Sequence, residues 1–167
     1  MKSFLTFLFF CLFLTSKGQE KLLDILPSKE GVVTYSEVVQ VDSISKAILY
    51  NRAKKWFVAS YKSAKEVIQL DDSENGEITG KGNFKVSYYT REPFISHTIS
   101  IFVKDGRYKY LITDMSYSDN QNEKFSIESF PKSWVGKKKL YLKIDEEIIA
   151  MILSLKKYMT SKENNEW

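Results

Sequence analysis

From Glu77 to Tyr89 the chain alternates without a slip. Ile78, Gly80, Gly82, Phe84, Val86 and Tyr88 fall in one phase; Glu77, Thr79, Lys81, Asn83, Lys85 and Ser87 fall in the other. A period of two over this length dictates a strand with one buried and one wetter face. The domain is thereby committed to a sheet that is covered on one side.

Two further runs, Phe94 to Val103 and Tyr108 to Tyr117, read as strands joined by Asp105-Gly106. Asp-Gly between β-rich runs is the strongest short-range hairpin signal. A two-residue turn pairs Lys104 with Arg107, Val103 with Tyr108, Ile101 with Tyr110 and Ile99 with Ile112. The next pair on that face is His97 with Asp114. Directly opposed side chains have Cβ atoms about 5 Å apart, and burying either group alone is costly. The pair is therefore expected as a polar tie that fixes register, with a histidine oriented for proton transfer as the alternative.

Upstream, Val67 to Leu70 reads as a short strand. A three-residue loop, Glu74-Asn75-Gly76, would pair Leu70 with Gly80 and Ile68 with Gly82, with Gly76 left-handed. Val33, Tyr35, Val39 and Val41 share one phase of a strand over Val32 to Val41, with Glu37 as the exception. Ile44 to Tyr61 reads as a helix, with Asp42, Ser43 and Ser45 as available caps. Its apolar face carries Leu49, Ala53, Trp56, Phe57 and Ser60. Ser118 to Lys124 is polar loop, and Phe125 to Leu142 is irregular. Asp145 to Thr160 reads as a second helix with a stripe of Ile148, Ile149, Ile152, Leu155 and Met159. Glu146 and Glu147 open it and Lys156 and Lys157 close it, which suits the helix dipole.

The order is β-α-β-β-β-β-α. It implies an α+β fold: an antiparallel sheet of about five strands with two helices packed on one face and the other face open. The stretch Leu49-Tyr50-Asn51-Arg52-Ala53-Lys54-Lys55-Trp56-Phe57, then Val67-Ile68-Gln69-Leu70-Asp71-Asp72, then Ile78-Thr79-Gly80-Lys81-Gly82, resembles domain of unknown function 4468. The likeness covers about residues 30–120. It implies an exported bacterial protein with a TATA-binding-protein-like fold. It brings no activity and no catalytic residues, and a shared fold does not imply a shared function.

Residues 1–18 read as a signal peptide: Lys2, an apolar run from Phe4 to Leu14, then Ser16 and Gly18 ahead of a cut before Gln19. Cys11 lies within the apolar run, without the small residues that precede a lipidation cysteine. Residues 19–30 would form an N-terminal arm, 31–160 one α+β domain and 161–167 a frayed tail. Loss of Lys2 and Lys17 lowers the formal net charge from +4 to +2, too weak a balance to imply nucleic acid. The only cysteine leaves as well, so the mature chain has neither a thiol nor a disulfide. The expected location is the periplasm or the extracellular space, with no transmembrane segment after cleavage.

No candidate catalytic set stands out. His97 is the sole histidine, and no Gly-x-Ser-x-Gly pattern occurs. Asp71-Asp72-Ser73-Glu74-Asn75-Gly76-Glu77-Ile78 echoes a calcium loop, but its twelfth position is Gly82 where a glutamate belongs, so it reads as a hairpin turn. Lys132, Lys137, Lys138, Lys139 and Lys143 could meet an anionic surface or form a solvated face. The ten tyrosines suit half-buried strands and could form a stacking platform. Gly80 and Gly82 lie within a strand, where glycine marks close packing.

The chain is thus expected to be non-enzymatic, with no cofactor and no metal. The binding candidates are His97, Asp114, Lys137, Lys138 and Lys139. Two functions remain: a non-catalytic binding or adaptor module of the cell envelope, using the open sheet face or the long connection, or a carrier of a small apolar ligand between sheet and C-terminal helix. The partner would be an unknown envelope protein or small ligand. A filled core favours the module, and a large empty apolar cavity favours the carrier.

Overall fold

The computed structural model describes residues 25–119, 124–131 and 133–161. The readings of residues 1–18, of Cys11 and of the tail beyond Ser161 lie outside these residues.

A ribbon comes first: β1 (Ser28–Lys29) turns through Glu30 and Gly31, both at positive φ, into β2 (Val32–Val33). Two left-handed residues are what a two-residue hairpin turn requires. Next come β3 (Tyr35–Gln40) and α1 (Lys46–Ser60). The Ser45 hydroxyl caps α1 by accepting the Ile48 N–H. A single helical turn, α2 (Ala64–Val67), leads into β4 (Ile68–Asp72) and β5 (Glu77–Lys85). Then follow β6 (Phe94–Lys104), β7 (Arg107–Ser118), β8 (Lys124–Ser126), a 3-10 turn over Ile127–Ser129, and α3 (Lys137–Thr160).

The main sheet is antiparallel in the order β3-β7-β6-β5-β4, with β8 pairing β7 beyond β3. Its inner face carries Ile78, Ile95, Ile99, Ile101, Val103, Tyr108 and Ile112, all buried. Leu49, Ala53, Trp56 and Phe57 of α1 pack against it, and the Trp56 indole N–H donates to Ser154 Oγ of α3 at 3.2 Å. Fully burying each large apolar side chain contributes about 1.5–3 kcal/mol. Glu37, the exception in its strand's phase, stays inside the pattern because two donors hold it. The Tyr110 hydroxyl donates to Glu37 Oε2 at 2.8 Å and Lys156 Nζ does so at 2.7 Å. These bonds, Lys156 first, hold its carboxyl below the usual range.

Three expectations need correction. The C-terminal helix begins at Lys137, not Asp145, because Leu140, Tyr141, Ile144 and Ile148 continue the buried stripe through its lysine-rich start. Ile149, expected inside, is exposed. The connection after Ser118 is not an irregular loop throughout, since it contains β8, the 3-10 turn and the start of α3.

The β4–β5 register also differs. Asp72 pairs with Glu77 across a four-residue turn, so Leu70 meets Thr79 and not Gly80. The Asp72 carboxylate lengthens the turn by accepting the Asn75 backbone N–H at 2.9 Å and its side-chain amide at 2.7 Å. Gly76 is left-handed, as expected. Leu70 therefore faces outward, and a shift beside Gln69 brings Ile68 opposite Gly80.

Candidate functional site

The Asp105-Gly106 hairpin has the expected register from Lys104–Arg107 to Ile99–Ile112. It then departs from it. Between Ser96 and Thr98 the pairing shifts, and Ser96 meets Ser116 while Thr98 meets Thr113. One extra residue on β7 is absorbed at Asp114, which takes φ +55° and is exposed. Aspartate is among the few residues that visit this region routinely. Met115 takes the inward place, 1% exposed, and His97 is buried without Asp114. The expected His97–Asp114 tie is thus replaced by a bulge.

His97 finds its partner on the covering helix layer. Its Nε2 lies 2.9 Å from the hydroxyl of Tyr61, the residue that ends α1. Gly82, opposite His97 on β5, makes this approach possible. A Cβ on Gly82 would stand 2.2 Å from Tyr61 Cε1, and one on Gly80 would stand 2.4 Å from Phe57 Cε1. The two glycines are seats for two aromatic rings. Phe84 closes the pocket, its ring centroid 5.5 Å from that of His97.

Burial lowers the histidine pKa to about 4, opposed in part by the Ile95 backbone. Burial likewise pushes the Tyr61 hydroxyl well above the ordinary phenol range. A neutral imidazole and a neutral phenol, each stabilised in that form, are held as a structural pair. Tyr61 was missed as a site residue, although it lies four residues beyond Phe57, on the same helical face.

The lysine cluster is divided by α3. Lys137 is buried, donates to the Phe130 carbonyl at 2.8 Å and lies 5.2 Å from the Tyr141 ring centroid. Lys138 is exposed. Lys139 Nζ sits 4.2 Å from the Tyr89 ring centroid, and Lys143 pairs with Glu146 at 2.5 Å. Lys132 lies outside the described residues. Successive helical residues point about 100° apart, so the three lysines at the start of α3 do not converge. In the calcium-like segment, Asp71 is held by the Tyr50 hydroxyl and by Lys54 Nζ, while Asp72 is held by Asn75. Among the described residues no group of three or more His, Cys, Asp or Glu could hold a metal, and no described helix is long and apolar enough to cross a membrane.

The buried side chains of the sheet's inner face, α1 and α3 form one apolar cluster. A groove of about 340 Å³ opens between the end of α1 and the middle of α3, lined by Tyr61, Phe84, Met151 and Tyr158 beside Asn83 and Glu147. Among the described residues the sheet's outer face lies away from α1 and α3. Thr79, Lys81, Phe94, Ser96, Thr98, Ser100, Phe102, Lys109, Leu111 and Thr113 point there by alternation, and none is buried. Two lysines lie against aromatic rings on it: Lys85 over Phe94 at 5.1 Å and Lys109 over Phe102 at 6.0 Å.

A family model described as a domain of unknown function (DUF4468) with TBP-like fold matches residues 35–118. A TBP-like protein from Parabacteroides distasonis superposes with a TM-score of 0.73 at 18% identity, covering 83% of this chain and 99% of that one. A DUF4468 family protein from Bacteroides ovatus superposes with a TM-score of 0.71 at 19% identity, covering 87% of this chain and 96% of that one. Comparison with curated proteins gives no match. At these identities the likeness to the two solved structures is one of fold.

Proposed function

This chain belongs to the DUF4468 family, and on that premise we propose that it is a non-catalytic binding module of the bacterial cell envelope that acts through the outer face of its sheet. The observation that carries the reading is the contrast between the two faces. The inner face is closed by α1 and α3 over one apolar cluster, whereas the outer face, among the described residues, lies away from both helices and mixes hydroxyls, lysines and the rings of Phe94 and Phe102. Ring and lysine side chains on a rigid sheet are ready contacts for a partner.

The groove between α1 and α3 is open and bordered by Asn83 and Glu147, a setting that suits an enclosed apolar ligand poorly and so favours the module over the carrier. The envelope assignment rests on the N-terminal segment. The absence of enzymatic activity is a further part of the proposal. It is supported by the inward, neutral setting of His97.

Affinity capture of the processed chain from an envelope extract, with mass spectrometry for proteins and lipids, tests the reading. The expected result is capture that disappears with Thr98→Glu on the outer face and persists with Lys55→Glu on the exposed side of α1. Capture indifferent to Thr98→Glu would sink it.

A further inference from the structure

We propose that the unpaired end of β5 takes up an extended segment of a partner protein as an added strand, its acidic side chains facing Lys81 and Lys85 and its apolar ones entering the groove between α1 and α3. The site is the edge of the sheet, distinct from the outer face.

β5 runs from Glu77 to Lys85, but β4 pairs with it only from Glu77 to Gly80. The chain enters β4 from α2, a helical turn, and the ladder ends there. Among the described residues no strand pairs Lys81 to Lys85 on that side, while β6 pairs all five on the other. Hydrogen bonding along an antiparallel pair alternates. The Val103 N–H donates to the Gly76 carbonyl at 2.8 Å and the Val86 N–H to the Pro93 carbonyl at 3.0 Å. Gly82 and Phe84, in step with Gly76 and Val86, therefore bond to β6, and Asn83 and Lys85 turn their N–H and C=O groups to the free edge. An edge of this kind is a template for another strand.

The groove of about 340 Å³ reaches the same edge, since Asn83 and Phe84 of β5 line it together with Tyr61, Met151 and Tyr158. A strand laid antiparallel on Lys81 to Lys85 alternates its side chains in step with β5. Those opposite Gly82 and Phe84 point inward, to the rings and thioether of the groove. Those opposite Lys81 and Lys85 point outward, four residues apart, beside two exposed lysines. The recognised pattern is thus acidic, apolar, any, apolar, acidic. Glu147 borders the groove and disfavours acidic residues at the inward positions. In this mode of recognition main-chain bonds supply affinity and alternate side chains supply specificity.

The same lysines argue against a second copy as the occupant. Antiparallel pairing of two β5 edges about Asn83 sets Lys81 of each copy directly opposite Lys85 of the other. Like charges so placed are destabilising, whereas an acidic segment is attracted.

A synthetic peptide with glutamate, leucine, threonine, leucine and glutamate at its centre tests the proposal. It is titrated into the processed chain, purified from its host, and amide hydrogen exchange is followed by NMR. The expected result is saturable binding that slows exchange at Asn83 and Lys85 and leaves Gly82 and Phe84, already bonded to β6, unchanged. The isomeric peptide with its leucines and glutamates interchanged should bind about tenfold or more weakly, because its leucines then face outward. Asn83→Pro removes a donor that does not belong to the β6 ladder, so it should abolish binding and keep the circular dichroism spectrum. Lys81→Glu with Lys85→Glu should weaken the glutamate peptide about tenfold or more and favour a peptide with lysines in place of the glutamates. Binding indifferent to either Asn83→Pro or the lysine reversal overturns the proposal, as does no binding up to millimolar peptide. Exchange at Asn83 and Lys85 that slows with protein concentration in the absence of peptide also overturns it, in favour of a second copy on this edge. The peptide decides this inference and capture by the Thr98→Glu variant decides the outer-face reading, so each can fail while the other stands.

Discussion

The Tyr61 hydroxyl and His97 Nε2 stand 2.9 Å apart, joining the end of α1 to the centre of the sheet through the gap that Gly82 leaves. The bond makes His97, the only histidine in the chain, a reporter of folding.

Its burial fixes the sign of a pH effect. The folded pKa of about 4 lies below the ordinary value of 6.5. Between these values the unfolded chain binds the extra proton, so stability falls as pH drops from 6.5 towards 4 and levels off below. The loss amounts to roughly 3 kcal/mol across the window. The lowered carboxyl groups of Glu37 and Asp71 lose their contribution at lower pH still, below their ordinary values. Urea unfolding at pH 7 and pH 5 should show the loss in the wild type and a much flatter response in His97→Leu. Equal slopes in the two proteins would contradict a buried neutral histidine.

Tyr61→Phe removes the partner and leaves the imidazole buried. An orphaned buried polar group costs about 1–3 kcal/mol. Gly82→Ala attacks the same bond from the other side, since its methyl group would overlap the Tyr61 ring. Overpacking of this kind costs about 1–3 kcal/mol. Because both changes act on one contact, the double variant should lose less than the sum of the two. Additive losses in denaturant melts would show that Gly82 is not there to seat Tyr61.

The two outcomes on β6 and β7 show what was legible in the sequence. Turn chemistry at Asp105-Gly106 and strict alternation outward from it determine the register as far as Ile99 and Ile112. The bulge beyond is invisible there, because an aspartate in the left-handed region has the same letter as one in a strand. The start of α3 was hidden for a different reason. Lys137, Lys138 and Lys139 read as a polar connection, and they mask Leu140, Tyr141 and Ile144, which carry the helical stripe. The three residues of β8 are too few to show any period. The Tyr61–His97 pair was within reach: a glycine opposite a buried histidine, and an aromatic one turn beyond Phe57, together describe a hole and what fills it.

α3 starts against its own dipole, with three lysines and no acid in the first turn. Lys138 and Lys139 are exposed, and Lys139 lies against the Tyr89 ring, so Lys138→Glu is the change that should stabilise the domain by about 0.3–1 kcal/mol at low salt. Lys137→Ala should do the opposite, because that side chain is buried and satisfies the Phe130 carbonyl. Thermal melts of the two variants should move in opposite directions, and a common direction would refute the division of the cluster.

Asp114 decides whether the bulge or an ordinary ladder governs β7. At φ +55° it holds a conformation that a β-branched side chain resists strongly. Asp114→Val should therefore cost about 1–2 kcal/mol. Asp114→Asn and Asp114→Gly should be close to neutral, since both residues tolerate the left-handed region. In a regular strand the order would reverse, with valine favoured and glycine penalised. None of the three changes should move the His97 titration, because the Asp114 side chain is exposed and His97 is bound to Tyr61. A histidine pKa followed by NMR that shifts in Asp114→Asn would restore the direct pairing and remove the bulge from the account.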